Sequence, residues 1–491
     1  MKKNVIAIDL GASSGRLIGV SFADGRLTTE EVYRFPNAGI PVQGRIYTDI
    51  LHIYNEILAG LAAAWKRYGV IDAIGIDAWG VDFGVLDGDL ELMRDPYHYR
   101  DRQAEGMQDI ADRLCGPRGL FYATGVQDMW YNTTLQLLGL ARRKGSALCG
   151  DVHFLMVADL LGYFLTGEMS LEYTSFATTQ LYDIKNRCLS EEILSALQIT
   201  PSVFPKTEMT GTVKGYLSEE VCRLTGIPTD ARIPLIHTAQ HDSAAAAYAV
   251  PADSDHYVFI NSGTWSIIGT ILEEPLINDQ IYEEMYSNEG AAFGKIKLVK
   301  SIMGMWLTQE LRKAWDKRGL EIDYSFLIQA AEQAPAFSHY IDVNAAVFQA
   351  PADMQDAVNT YFASTGQEVT EDQGILYRTV IESLAFQYRK ALDDLDGICG
   401  SRTDTVYFLG GAIRDPLFCR FIANATGRKL MAGPVEATAI GNALIQLKSL
   451  GCYKSNAQKQ AILKGSVGLS LYEPEDPSVW DLQYQLYLSK L

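Results

Sequence analysis

The chain has 491 residues, 48% of them hydrophobic, and a net charge of −18 from 42 basic and 60 acidic side chains. That length suits two domains of about 200 to 250 residues each rather than one core. The acidity, with no basic stretch, excludes nucleic acid and anionic membranes as expected partners. No apolar run approaches the roughly 18 residues of a membrane span, and Lys2-Lys3 pass straight into a short strand broken by Asp9, unlike a signal peptide. Cys115, Cys149, Cys188, Cys222, Cys399, Cys419 and Cys452 are scattered without a Cys-x-x-Cys pair, which predicts reduced thiols and a cytoplasmic protein.

The first predicted element is a hairpin: a strand over Val5-Ile6-Ala7-Ile8-Asp9-Leu10, a turn Gly11-Ala12-Ser13-Ser14-Gly15, and a second strand from Arg16 to Val20. Gly11 and Gly15 would let backbone approach a ligand, and the two serine hydroxyls with turn amides would surround phosphate oxygens. Asp9, at the strand end, is placed to hold a hydrated Mg2+. The spacing is not that of a P-loop, which requires G-x-x-x-x-G-K-[ST]. Asp24-Gly25 then turns the chain into a third strand over 27–35. A helix is predicted over 49–67, with Ile50, Ile53, Ile57 and Leu61 on one face and Asp49 as its cap. Strands follow at 74–76 and 81–86. Between them, Asp77, Trp79, Gly80 and Asp82 suit a sugar, with an aromatic face for the ring and carboxylates for hydroxyls, although a buried Trp is equally ordinary core. The run Tyr99-Arg100-Asp101-Arg102 reads either as part of that surface or as an exposed ion-pair cluster.

Further on, Ile233–Ile236 predict a strand, a polar loop carries His237 and His241-Asp242, and Ser243 opens an Ala-rich helix. Asp242 is the best candidate for a general base toward a substrate hydroxyl, with helix capping as the alternative use of the same carboxylate. His237 and His241 have the spacing of a helical zinc pair, but the preceding strand and the lack of a third ligand argue against a metal there. A second hairpin, Tyr257 to Thr270 around Asn261-Ser262-Gly263-Thr264-Trp265, repeats the first about half a chain later, which divides the sequence into two related halves. The His241-Asp242 loop lies where the halves meet and is expected to face a cleft. A strand over 406–409 runs into Gly410-Gly411-Ala412 and a helix over 415–426, a junction that admits a nucleotide close to backbone.

Asp9-Leu10-Gly11-Ala12-Ser13-Ser14-Gly15-Arg16, His241-Asp242-Ser243, Asn261-Ser262-Gly263-Thr264-Trp265 and Leu409-Gly410-Gly411 resemble, in order and spacing, motifs of the FGGY carbohydrate kinases, within the actin/hexokinase/Hsp70 ATPase fold. The resemblance spans nearly the whole chain. Longer strings, among them Gly75 to Phe83, Ile302 to Leu307 and Gly433 to Thr438, are similar to one ketose-kinase branch of that family.

The resemblance implies an α/β protein of two tandem ribonuclease H-like (actin-like ATPase) domains with an interdomain cleft, 1–244 and 245–491. It implies that Ala12, Ser13, Ser14, Gly15, Arg16, Thr264, Gln309 and Gly411 hold ATP, and that Trp79, Gly80, His241, Asp242, Ser243 and Ser301 face the sugar. Asp242 is the implied base, and Asp9 the implied holder of Mg2+ through water. The expected reaction is in-line transfer of the ATP γ-phosphoryl to a primary alcohol of a ketose, by a monomer or homodimer. Three positions depart from the family pattern: Ala412 replaces a third glycine, Asp415 or a near neighbour an asparagine, and Ser301 an asparagine on the substrate side. The rival from another class is an actin- or Hsp70-like ATP-driven binding protein, whose turnover would not depend on a sugar.

Overall fold

The computed structural model describes residues 2–11, 14–144, 148, 150–254 and 256–490. Its residues group into two compact units: Met1–Asp253 with Ile271–Leu298 and Glu436–Val467, and Ser254–Thr270 with Val299–Val435 and Gly468–Leu491.

In the first unit, β1 (Lys3–Leu10), β2 (Ser14–Ala23) and β3 (Arg26–Pro36) form an antiparallel meander. Asp24 and Gly25 both take positive φ, 52° and 76°, as a tight hairpin turn requires. Strand Ala73–Ala78 joins the free side of β1 in parallel, Pro234–Ile236 follows in parallel, and Val213–Tyr216 closes the edge antiparallel. β1 is buried from Asn4 to Leu10, which is why its sequence is a nearly unbroken apolar run rather than an alternating one. Helix α1 (Ile50–Tyr68) carries the chain from the meander to the parallel strands. It starts where Asp49 accepts from the His52 N–H at 2.9 Å, ends at Gly69 with φ 68°, and buries Ile50, Ile53, Ile57 and Leu61.

The units are not the contiguous halves 1–244 and 245–491. Helix Ala437–Ser449 returns to the first unit and packs on β1, on strand Ala73–Ala78 and on helix Asp242–Tyr248. The approach is so close that a Cβ on Gly441 would lie 1.8 Å from the Ala245 carbonyl oxygen.

In the second unit the sheet order includes Ile296–Met303, Trp265–Leu272, Val258–Ser262, Thr405–Leu409, Lys429–Ala432 and Ser470–Tyr472. Val258–Ser262 is antiparallel to Trp265–Leu272 and parallel to Thr405–Leu409, which is in turn parallel to Lys429–Ala432. Setting edge strands aside, both sheets place their strands third, second, first, fourth, fifth, the ribonuclease H-like order of actin-like ATPases. No helix among the described residues is long and apolar enough to cross a membrane.

Candidate active site

The parallel strands of the first unit end together, and in open α/β sheets ligands bind beyond such carboxyl ends. Their register sets Asp9 directly beside Asp77. The loop after Pro234–Ile236 is tied to the same end, because the Ala78 N–H donates to the Gln240 carbonyl at 2.8 Å and Ala78 bridges His241. Helix Asp242–Tyr248 starts there.

This end is crowded with acid. Asp77 is wholly buried, and burial, then the charges of Asp9 and Asp242, push its pKa well above the carboxylate range. Asp9 is raised too, by burial and by Asp242 and Glu436, against the pull of Arg16. Arg16 pairs with Asp9 and, at 2.6 Å, with Glu436. Asp77 accepts from Asn442 at 2.5 Å, Asn442 accepts from Gln446 at 2.7 Å, and Gln446 also donates to the Ile6 carbonyl at 3.0 Å. The other Asp77 oxygen has no hydrogen-bond partner among the described residues. Four carboxylates against one guanidinium are a donor set that suits a hydrated cation. Among the described residues no three His, Cys, Asp or Glu side chains are arranged as direct metal ligands; a Mg2+ ion that keeps most of its waters needs only one or two carboxylates, and Asp9 would be the residue to hold it.

Asp242 is not spent on capping. His241 holds the N-cap position without a capping bond, and Asp242 is the first residue of the helix. Its side chain is 37% exposed, accepts from the Ser243 N–H at 2.5 Å and lies 3.6 Å from His241 Nε2. Behind the loop, buried Glu172 accepts from the Gln240 N–H at 3.2 Å and from the Thr210 hydroxyl at 2.7 Å, while the Thr174 hydroxyl oxygen accepts from the His241 N–H at 3.2 Å. Burial raises Glu172 to about 7. His237 belongs to this buried layer, with Nε2 2.8 Å from the Ser170 hydroxyl and Nδ1 3.3 Å from Gln240 Nε2, which excludes a zinc pair with His241. Burial and the Lys214 charge hold His237 at about 3.

Two residues of this site escape sequence reasoning. Lys297 Nζ lies 2.6 Å from Ser243 Oγ and 2.7 Å from Glu289 Oε2, and Glu289 is 3.4 Å from His241 Nδ1. Burial alone would raise Glu289, but Lys297 and His241 bring it down to about 2. The available signal was a lysine inside the apolar run Ile296-Lys297-Leu298-Val299.

Gly80 is beside His241. A Cβ there would meet Thr178 Oγ1 at 3.2 Å and His241 Nε2 at 3.5 Å. Trp79 is largely buried and its indole N–H donates to Asp82 at 2.8 Å; Asp82 also accepts from the Tyr99 N–H at 2.9 Å and is wholly buried. Asp82 therefore anchors Trp79 and is not a sugar carboxylate. Asp101 is likewise buried rather than in an exposed cluster, accepting from the Ile46 N–H at 2.8 Å and facing Arg45 at 3.3 Å. In the first hairpin the Gly11 N–H donates to the Ser14 carbonyl at 3.0 Å, and Asn37 donates to the Gly11 carbonyl at 2.8 Å. Ala12 and Ser13 lie outside the described residues. Gly15 is small because of the sheet: a Cβ would lie 2.2 Å from the Phe35 ring.

In the second unit the turn Gly263-Thr264 is bound to the start of helix Trp306–Lys317. The Thr264 carbonyl accepts from the Gly304 N–H at 3.1 Å and the Trp306 N–H at 3.2 Å, and the Gly263 carbonyl from the Met305 N–H at 2.9 Å. A Cβ on Gly304 would lie 2.5 Å from Ser266 Oγ, so glycine permits this contact. The same docking brings Gln309 to Thr264, Oε1 accepting from the hydroxyl at 3.3 Å. Gly410 has φ 88° and passes so close to the first strand that a Cβ would lie 2.6 Å from the Ser262 carbonyl oxygen, whereas Gly411 faces open space. Asp415 caps helix Pro416–Thr426 through the Leu417 and Phe418 N–H groups, at 2.9 and 3.0 Å, and accepts from the Tyr377 hydroxyl at 2.8 Å. Asp415 is thus structural. Ser301 is half-buried on strand Ile296–Met303.

Two sheets of this order, each opening on a tight hairpin, define an actin-like ATPase fold. Residues 4–249 match the N-terminal domain and residues 258–450 the C-terminal domain of the FGGY family of carbohydrate kinases. The chain belongs to that family and is a carbohydrate kinase, with ATP as its phosphoryl donor. It is 38% identical over 484 residues to a rhamnulokinase of Bacteroides thetaiotaomicron, covering 99% of this chain and 98% of that protein. It is 32% identical to a rhamnulokinase of Bacillus subtilis, covering 96% of this chain and 95% of that one. Similar folds occur in a xylulose kinase from Lactobacillus acidophilus (TM-score 0.82, 18% identity, 99% and 97% covered) and a Plasmodium falciparum glycerol kinase with ADP (TM-score 0.77, 15% identity, 99% and 98% covered).

Proposed function

We propose that this kinase transfers the ATP γ-phosphoryl group to the 1-hydroxyl of L-rhamnulose. The observation that carries the reading is the similarity to rhamnulokinases over essentially the whole chain, at 38% identity in the Bacteroides thetaiotaomicron protein. Its companion is a partly exposed Asp242 carboxylate flanked by His241 and Ser243, with Gly80 beside His241. The sugar hydroxyl oxygen attacks the γ-phosphorus, the bond from that phosphorus to the β-bridging oxygen breaks, and the hydroxyl proton passes to Asp242. His241, Ser243, Gly80 and the face of Trp79 orient the sugar, with Ser301 on the substrate side. Ser14, Gly15, Arg16 and Thr264 stabilise the transferring group, continued by Ala12 and Ser13, and Gln309 and Gly411 bear on the nucleotide. Asp9 would hold Mg2+ through water, and the ion would supply neutralisation of phosphate charge. Free cysteines at six described positions accord with a cytoplasmic enzyme.

A second reading, another ketose kinase such as an L-fuculokinase, is favoured by one observation, Ser301 in place of the usual asparagine. Coupled ADP release with L-rhamnulose, L-fuculose, D-xylulose and glycerol separates them. We expect the highest kcat/KM with L-rhamnulose and a steeper preference in Ser301→Asn, since the amide restores a donor the serine lacks. A wild type that favours another ketose ends the rhamnulose assignment; unchanged discrimination in Ser301→Asn removes that residue from the sugar site.

A further inference from the structure

We propose that Glu289 and Lys297 are positioning residues that hold the His241 ring with its proton on Nδ1, leaving the Asp242 carboxylate uncovered for the substrate hydroxyl. The proposal rests on the assignment of His241, Asp242 and Ser243 to the sugar.

The argument is a count of donors and acceptors. The Lys297 side chain is fully buried, and an ammonium has three donors and no acceptor. Two donors have short contacts, to Glu289 Oε2 at 2.7 Å and Ser243 Oγ at 2.6 Å. With its oxygen accepting from Lys297, Ser243 directs its own hydrogen to an acceptor, and both His241 nitrogens are within reach, Nε2 at 3.2 Å and Nδ1 at 3.3 Å. Glu289, ionised beside Lys297, only accepts, and its oxygen is 3.4 Å from His241 Nδ1. The assignment that places a ring proton against the Glu289 carboxylate is therefore Nδ1–H donating to Glu289, with the Nε2 lone pair accepting from Ser243. The opposite tautomer aims a lone pair at the Glu289 carboxylate and turns an Nε2–H toward Asp242, 3.6 Å away, where it competes with the sugar hydroxyl for the base. As an acceptor Nδ1 would have Ser243 Oγ at 3.3 Å and Lys297 Nζ at 3.4 Å, but either arrangement leaves the Glu289 carboxylate oxygen, at 3.4 Å, facing a lone pair. The pair thus acts on chemistry through His241 and Ser243, without itself facing substrate. A buried ion pair is otherwise weak as a stabilising device, since hydrophobic residues of similar volume commonly serve as well.

The test uses the full-length protein labelled with 15N-histidine, His241 being assigned by its loss in His241→Gln. Long-range 1H–15N spectra of the wild type should show a protonated Nδ1 and a bare Nε2. In Glu289→Leu/Lys297→Met, which removes both charges together, melting should stay near wild type, the His241 tautomers should mix, and kcat/KM for the ketose should fall about 100-fold, the scale of a roughly 1 Å misplacement, while KM for ATP is unchanged. Glu289→Gln/Lys297→Met returns a neutral acceptor to Nδ1–H and should recover the tautomer and most of the loss, which a packing role would not do. A wild-type His241 protonated on Nε2, or a Leu/Met variant with the wild-type spectrum, overturns the proposal whatever the activity, and the wild-type spectrum decides even if that variant does not fold. A wild type that phosphorylates no ketose overturns the sugar assignment on which the proposal rests, a failure distinct from that of the tautomer.

Discussion

Asp242→Asn isolates the proton transfer from everything else the residue does. In the fold the carboxylate accepts one short hydrogen bond, from the Ser243 N–H at 2.5 Å, and 37% of the side chain is exposed. An amide oxygen accepts that bond equally well, so stability should change by less than about 1 kcal/mol, the usual net worth of one hydrogen bond. The chemical loss is larger. General-base assistance contributes about 100- to 10,000-fold, or about 3 to 5 kcal/mol of barrier. Electrostatics adds a sign: the Asp242 charge raises both Asp9 and Asp77, so its removal relieves the acid cluster, and nucleotide binding should hold or tighten rather than weaken. Coupled ADP release with L-rhamnulose, a nucleotide titration and a thermal melt read the three quantities separately. Activity within tenfold of wild type, with the melt unchanged, would refute the assignment of Asp242 as base.

Thr264→Val deletes the hydroxyl that meets Gln309 at 3.3 Å without disturbing the backbone bonds of the turn, and should weaken ATP binding about five- to tenfold at an unchanged melting temperature; normal nucleotide titration would remove Thr264 from the phosphate site. Stability should fall from pH 5 to pH 8. Burial raises Asp82, Glu172 and Glu382 each to about 7, so across this interval the folded state keeps protons the unfolded chain has released, and that stabilisation is lost as pH climbs through about 7. Glu289 works in the opposite sense, since its folded value of about 2 contributes stability above the usual carboxylate range that is lost as pH falls toward about 2. Melting curves at unit pH intervals check both limbs, and a melting temperature that rises between pH 5 and pH 8 contradicts the first.

What the sequence reveals depends on how local the cause is. β1 and α1 are legible because an apolar run and a 3.6-residue period record burial directly, and Asp49 records its cap. The hairpins and the His241-Asp242 loop are legible because their residues act through their own backbone neighbourhood. Asp82 misleads for the converse reason: a carboxylate beside an aromatic reads as a sugar ligand, but it is already bonded to the Trp79 indole N–H. The need for glycine at 15 has a cause the sequence does not show, the Phe35 ring from β3 that fills the space of a side chain. Glu289 and Lys297 are invisible because neighbouring strands of the second sheet pair them and only the folded chain brings Lys297 to Ser243. Helix Ala437–Ser449 returns from the far end of the chain, and only its glycine at 441, pressed on Ala245, marks the contact.

The two sheets share one strand order and differ in what they place at the end of the first strand. In the first unit that position is Asp9, and the register sets it beside Asp77 of the neighbouring parallel strand. In the second unit the matching position before the hairpin is Asn261, set beside Leu409. A pair of buried acids is costly in a scaffold, because each must be neutralised by a proton, by Arg16 or by a bound cation. The second sheet shows that the scaffold forms without them. Their presence in the first is therefore not a demand of folding, and on the proposed reading they lie where a cation would be held and phosphate charge neutralised.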